Sequence, residues 1–294
     1  MKTILAKIDG SSNDAAVLES SYLVASQFIS HIACLYVRAD SVRLMMNAAD
    51  GIGLAAGVVP VTPEVQQALL EADNARARSA RQSFDMLCKR PRMRVAELAS
   101  AAREVSASWL EVQGDPSDAT ATIGRFYDLV VLARSQTSSD LYADDIGSIL
   151  MGCGRPVLIA VSPPPKAIGS TIAIAWKETA EAARAVTAAS PLLAQAAKVI
   201  VLSSQEGEGN ETAVKRSGEN LADHLRWQGL QVDVQTIADA GRTTAQAIVA
   251  AARQADADLL VMGAYGHSRA RELIFGGVTR HVLNGAGIPV LLSH

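Results

Sequence analysis

Chemistry is most legible near the end of this chain, where Asp258 to Val282 reads DLLVMGAYGHSRARELIFGGVTRHV. Leu259 to Met262 is an apolar run long enough for one buried strand and too short for a helix. Gly263 and Gly266 follow with two residues between them, and after nine more residues come Gly276, Gly277, Val278 and Thr279, opening a segment of helical character. Glycines after a strand let backbone approach a ligand closely, and free N–H groups at a helix start suit a phosphate. Arg269, Arg271 and Arg280 add positive charge where an anion would lie. The pattern is not a P-loop, because no G-x-x-x-x-G-K-[ST] occurs. Turn glycines alone would produce the same letters, so a turn and a phosphate loop both stay open.

Catalysis has no comparable signature. There is no G-x-S-x-G elbow, no H-E-x-x-H, and no cysteine with an evident activating base. His267 lies in the glycine loop, where it either touches a γ-phosphate or is an ordinary loop histidine. Asp9, Asp144 and Asp145 form no legible Mg²⁺ constellation, and no catalytic or metal-ligating residue is assigned.

The elements that must position the loop come in two matched sets. Asp128-Leu-Val-Val-Leu-Ala133 matches Asp258-Leu-Leu-Val-Met-Gly263, and Gly152-Cys-Gly-Arg-Pro-Val-Leu-Ile159 matches Gly285-Ala-Gly-Ile-Pro-Val-Leu-Leu292. TILAKIDGSSNDAAV from Thr3 pairs with TIAIAWKETAEAARAV from Thr171. Three matched blocks in one order predict a duplicated β/α unit, a first domain over 1–162 and a second over 167–294. Ser162-Pro-Pro-Pro-Lys166 reads as the stiff linker. Five β/α units per copy predict a parallel, doubly wound sheet. Its ligand crevice lies at the strands' carboxyl ends, where Ala175-Trp176-Lys177, Leu202-Ser203 and Met262-Gly263 converge.

Within the first copy, Asn13 or Ser12 is expected to cap a helix burying Leu18, Tyr22, Ala25 and Ile29. His31 starts the second strand in a surface or capping role, and Cys34 fills core. Residues 38–91 read as an insertion absent from the second copy, with Met45, Met46, Ile52 and Leu54 among glycines. A helix then runs through Leu69, Ala72, Ala80 and Leu87, with Arg76, Arg78 and Arg81 on its outer face. Where the second copy has Gly263 and Gly266 the first has Ala133 and Gln136 on a shorter loop, so its cradle is lost.

Gly263, Gly266, Gly276 and the following Gly-Val-Thr resemble the G-x2-G-x9-G-[ST] signature of the universal stress protein family, over nearly the whole chain outside 38–91. Gly277 departs from it, standing where the family has Ser or Thr, and Thr279 is the nearby hydroxyl. In ATP-binding members an acid ends the first strand; here Asp9 keeps it in the first copy, while Lys177 replaces it in the second. The resemblance implies two tandem universal-stress-protein-like (adenine nucleotide α-hydrolase-like) domains forming a pseudo-dimer within one chain, with further homodimerisation open. It implies a stress-response regulator whose second domain binds ATP, alone or with Mg²⁺. The site it implies comprises Ala175, Trp176, Lys177, Leu202, Met262, Gly263, Gly266, His267, Arg269, Gly276, Gly277, Val278 and Thr279. Trp176 either stacks on adenine or is a core tryptophan, and Lys177 meets a phosphate or pairs with Glu181. A scaffold that has lost ATP binding and a slow ATP hydrolase are the rival readings.

Composition agrees with a globular α/β chain. Of 294 residues 49% are hydrophobic, 19% charged and only 4% aromatic, as helices covering a parallel sheet require. A net charge of −3 gives no electrostatic case for nucleic acid or anionic membrane, and no apolar run reaches the length of a membrane span. MKTILAKIDG meets an acid too soon for a signal peptide, and three cysteines (Cys34, Cys88, Cys153) lack C-x-x-C spacing. A reduced, cytoplasmic setting is the expectation.

Overall fold

A computed structural model describes residues 1–39, 63–97, 104–134, 141–204, 211–237, 243–264 and 277–294. In chain order the first half gives β1 (Thr3–Ile8), α1 (Asp14–Phe28), β2 (His31–Ala39), α2 (Pro63–Cys88), β3 (Arg94–Val95), β4 (Ser106–Gly114), α3 (Pro116–Gly124), β5 (Leu129–Ala133), α4 (Leu141–Cys153) and β6 (Val157–Ala160). The second gives β7 (Thr171–Trp176), α5 (Ala180–Leu193), β8 (Lys198–Ser204), α6 (Glu211–Arg226), β9 (Val232–Ile237), α7 (Thr244–Gln254), β10 (Leu259–Gly263), α8 (Gly277–Gly285) and β11 (Val290–Ser293).

The strands form one eleven-stranded sheet in the order β3-β4-β2-β1-β5-β6-β11-β10-β7-β8-β9. Each half runs through the same doubly wound order, with β3 as an extra short edge in the first. Every pairing is parallel except the seam, where Val157, Leu158 and Ile159 of β6 lie antiparallel to Leu292, Leu291 and Val290 of β11. The central strands are apolar on both faces because helices cover both. One core layer takes residues of α1, α2, α5 and α6, such as Val17, Phe84, Leu192 and Leu225. The other takes residues of α4, α7 and α8, such as Leu150, Ile248 and Val282.

The matched acids at the foot of β5 and β10 have a mechanical reason. Asp258 accepts the N–H groups of Gly169, Ser170 and Thr171 at the start of β7, and Asp128 accepts those of Lys2 and Thr3 at the start of β1. Each carboxylate ties two neighbouring parallel strands whose first N–H groups would otherwise lack partners. Helix starts are fixed as locally: Asp115 accepts from the N–H groups of Ser117 and Asp118 ahead of Pro116, and Thr243 forms a capping box with Gln246.

Three expectations about the first half need amendment. Asn13 precedes α1 but makes no side-chain cap; its amide donates to the Arg134 carbonyl at 3.2 Å instead. Ile29 is not on the buried face. It is the left-handed residue that ends α1 (φ 51°) and is 40% exposed, as the helix terminator must be. Nor is the helix within 38–91 an addition: α2 is the crossover from β2 to β4, the place α6 holds between β8 and β9. α2 is longer than α6, 26 residues against 16, and β3 is an additional short edge strand. The Met/Gly-rich stretch lies outside the described residues.

α2 is held firmly. Arg38 of β2 binds Asp73 at 2.8 Å and Glu111 of β4, and the Tyr36 hydroxyl also donates to Asp73. Arg76, Arg78 and Arg81 are exposed, as expected, and the Arg81 guanidinium lies over the Phe84 and Trp109 rings. Arg90 pairs with Glu19, closing α2 onto α1. His31 bridges β2 to β4 through Ser106 and Ser108, each at 2.9 Å, and burial pulls its pKa below the usual histidine value. Cys34 is fully buried, which pushes its thiol pKa upward.

Candidate functional site

In the second half the crossovers diverge between β7 and β10: β7 leaves through α5 toward β8, while β10 arrives from β9 through α7. An open α/β sheet leaves its crevice at such a switch point. Register brings the predicted residues to its rim. Ala175 pairs with Met262 on one side and with Leu202 on the other, Trp176 lies beside Ser203, and Gly263 beside Ser293. Ala175, Leu202 and Met262 are buried, so their side chains build the floor; Lys177, just past the strand, is exposed.

Gly277 is the first residue of α8, followed by half-buried Val278, buried Thr279 and exposed Arg280. The first N–H groups of a helix have no intrahelical acceptor and carry partial positive charge. α8 starts on the same carboxyl edge of the sheet that Lys177 follows, and such N–H groups are donors of the kind that fit an anionic phosphate. Gly266, His267, Arg269, Arg271 and Gly276 lie outside the described residues, as does Gln136 in the first half. Asp144 and Asp145 fall within α4, and no group of three or more metal-ligating side chains occurs among the described residues.

Two predicted site residues have structural occupations. A Cβ on Gly263 would stand 2.6 Å from the Ala182 nitrogen and from the Glu181 carbonyl carbon, because the first turn of α5 packs directly on the end of β10. The glycine is therefore required by helix packing. The loop lengths explain why the first half tolerates Ala133: residues 9–13 separate β1 from α1, but only residues 177–179 separate β7 from α5. Trp176 is half-buried against the core layer under α5 and α6, and its indole N–H donates to Ser217 of α6 at 3.0 Å. Beside it the Ser203 hydroxyl is buried without a hydrogen-bond partner, facing Gly218 of α6. Glu181, 3% exposed, pairs with Arg184 at 3.3 Å.

The equivalent rim of the first half is acidic. Asp9 follows β1 where Lys177 follows β7; it accepts from the Ser11 N–H at 3.0 Å and lies 3.9 Å from Lys7. Burial opposes its charge, but Lys7 and the Ser11 contacts outweigh burial and hold its pKa below the ordinary carboxylate value. Asp14, the first residue of α1, is 1% exposed and accepts the N–H groups of Asp9 and Gly10, each at 3.0 Å. Burial, with Asp9 adding repulsion, pushes its pKa up to about 6. Sequence reasoning missed Asp14, and it placed Ser203 at the crevice without foreseeing its buried hydroxyl. An acid five residues past Asp9 was a visible signal for the former; the latter depends on how α6 seats on β8.

Comparison with known proteins follows the same lines. The profile of the universal stress protein family matches residues 155–294. Over its full length the chain is 24% identical to universal stress protein Slr1230 of Synechocystis sp., covering 99% of each chain. Among solved structures, a universal stress protein from Archaeoglobus fulgidus superposes with a TM-score of 0.66 at 17% identity, over 99% of this chain and 95% of that one. A putative universal stress protein from Pseudomonas aeruginosa gives 0.56 at 16% identity, over 100% and 93%. At these identities the structural likeness concerns the fold. Residues 155–294 are a universal stress protein family domain, in a chain whose fold throughout is that of universal stress proteins of known structure.

Proposed function

We infer that this chain is a stress-response regulatory protein whose second half, residues 167–294, binds an adenine nucleotide, ATP alone or with Mg²⁺, in the crevice between β7 and β10. The observation that carries the reading is the charge at the carboxyl edge of the sheet: exposed Lys177 follows β7, and α8, the crossover from β10 to β11, starts on the same edge. Phosphates would lie against Gly277, Val278 and Thr279, where helix N-terminus and hydroxyl donors suit them. The first half, residues 1–162, is a degenerate domain with a structural role. The antiparallel β6–β11 seam supports a pseudo-dimer closed within one chain.

A second reading, a scaffold that has lost nucleotide binding, is favoured by Gly263 and Trp176, whose identities packing already explains. Native mass spectrometry of freshly purified protein, followed by calorimetric titration with MgATP, separates the two. One adenine nucleotide per chain is expected. Gly277→Asp puts a negative charge at the helix start, which favours the helix but repels phosphate. It should cut MgATP affinity by about tenfold or more while leaving the melting temperature unchanged or slightly higher. No binding at millimolar MgATP leaves the scaffold.

A further inference from the structure

β9 is the last strand of the sheet, paired with β8 on one side only. Val199 of β8 lies opposite Val232 and donates to the Gln231 carbonyl at 3.0 Å. In a parallel ladder with that register, Asp233 and Gln235 turn their N–H and C=O groups inward to β8. Val232, Val234 and Thr236 turn theirs to the open side, from which the Arg226 side chain donates to the Val232 carbonyl at 2.9 Å. Such a row is a template for another strand, and edges are ordinarily blunted by Lys, Pro or a bulge. The strand VDVQTI carries no Lys and no Pro. Its one charge, Asp233, is paired with Lys198 of β8 at 3.0 Å. At the amino end of the same edge Trp227, next to Arg226, is 92% exposed.

We propose that β9 pairs with β9 of a second copy of this chain, antiparallel about a two-fold axis at Val234, so that the sheet continues from one chain into the next. Charge selects this register. The outward row allows the axis to move only between adjacent positions of the strand. An axis at Asp233 sets the two Asp233 carboxylates directly opposite each other, where like charges repel. An axis at Gln235 leaves Val232 without a partner within β9. With the axis at Val234, Asp233 lies beside Gln235 of the second copy, an acceptor beside an amide donor, and Val232 lies beside Thr236. The residues whose backbone meets across the axis are then all β-branched, the side chains that pack best across a strand pair.

Arg226 does not block the edge. Glu219 and Asp223 hold it on α6, and a carbonyl has two lone pairs, so the Val232 oxygen can accept from Arg226 and from the second copy together. The axis also carries each Trp227 toward the carboxyl end of the other β9, where the ring leaves water. β3, at the opposite end of the sheet, is only Arg94–Val95, and a β9 docking there would repeat from chain to chain without closing. Antiparallel pairing between like halves already occurs within the chain, at the β6–β11 seam.

Sedimentation equilibrium of the full chain over a dilution series tests this, with a dimer of twice 30.9 kDa expected. Val234→Pro removes an N–H that β8 does not use, so the chain should stay folded by circular dichroism while the dimer is lost. Gln235 is exposed, and its variants read the register. Gln235→Lys sets an ammonium beside Asp233 of the second copy and should lower the dimer dissociation constant by about fivefold, whereas Gln235→Asp should raise it by about as much. These two serve if Val234→Pro does not fold. Trp227→Ser should raise the constant by about tenfold or more. A monomer at every concentration, assemblies that grow past the dimer, a dimer that Val234→Pro leaves intact, or Gln235 variants that shift the constant in the same direction would overturn the pairing.

Discussion

Replacing Gly263 with alanine asks whether the glycine of the candidate loop serves the fold or a ligand. The new Cβ would meet the Ala182 nitrogen and the Glu181 carbonyl carbon at 2.6 Å and the Glu181 oxygen at 2.9 Å, all of them backbone atoms. To restore an ordinary contact the first turn of α5 must retreat by about 0.8 Å. That turn is held by the Thr179 cap on the Ala182 N–H, and the rest of the helix by fully buried Ala185, Ala189 and Leu192. Forcing a methyl group into such a joint costs about 1–3 kcal/mol. For a chain of this size the melting temperature should fall by roughly 2–5 °C. The control is Ala133→Gly, which occupies the matching place in the first half; it removes a tolerated methyl group and should cost only about 0.5–1 kcal/mol. Differential scanning calorimetry, run with and without MgATP, reads both. A Gly263→Ala protein that melts with wild type but loses nucleotide affinity would refute the packing argument and return the glycine to the ligand.

Three other perturbations follow from named contacts. Trp176→Phe keeps a ring but loses the indole donor to Ser217, which should cost about 0.5–1.5 kcal/mol in urea denaturation; unchanged stability with weakened MgATP binding would make Trp176 a base-stacking residue instead. Asp258→Ala strands the N–H groups of Gly169, Ser170 and Thr171 and should cost about 1–3 kcal/mol, read by the same denaturation curves. The two matched acids should also respond to pH in opposite senses. Burial raises the Asp258 pKa despite its backbone bonds, so its contribution is largest at low pH and declines as pH rises through its native value. For Asp128 burial is outweighed by the Lys2 and Thr3 N–H groups, the N-terminal ammonium and Arg155, which lower its pKa, so its contribution is lost as pH falls through the native value. Denaturation at about pH 3 and about pH 7 should therefore show Asp258→Asn costing more in acid and Asp128→Asn costing more at neutrality.

The fold was legible because it repeats. The Asp-Leu-Val-Val and Pro-Val-Leu blocks fall on β5, β10, β6 and β11, and alternation or continuous apolarity marked the other strands. What failed locally was decided in three dimensions. Ile29 continued the helical period, yet it is the residue that terminates the helix in a left-handed conformation. Asn13 had the right chemistry for a cap, but the Arg134 carbonyl, 121 residues away, takes its amide. Residues 38–91 looked like an insertion because α2 and α6 share no obvious sequence, although both fill the crossover after the second strand. The site divided in the same way. Its floor of Ala175, Leu202 and Met262 came from strand pattern, whereas the roles of Gly263 and Trp176 depend on where α5 and α6 sit.

That division bears on how many ligands one chain can hold. The glycine pattern alone gives one site, since the first half lacks the pattern, but Gly263 is required by α5 and so contributes little to the count. Charge reaches the same number independently. At the end of β1 stand Asp9 and Asp14, the former ionised more readily than usual and the latter shedding its proton near pH 6. A phosphate brought there near neutrality meets two carboxylates, exposed Asp9 and buried Asp14, and is repelled by both. At the end of β7 the corresponding residue is Lys177, and α8 starts on the same carboxyl edge of the sheet. The two crevices belong to one continuous sheet and share one strand order, yet they present opposite charge to an anion. A stoichiometry of one nucleotide per chain thus rests on electrostatics that Gly263→Ala leaves untouched, and Asp9→Asn combined with Asp14→Asn should ease the repulsion in the first half without supplying a phosphate donor there.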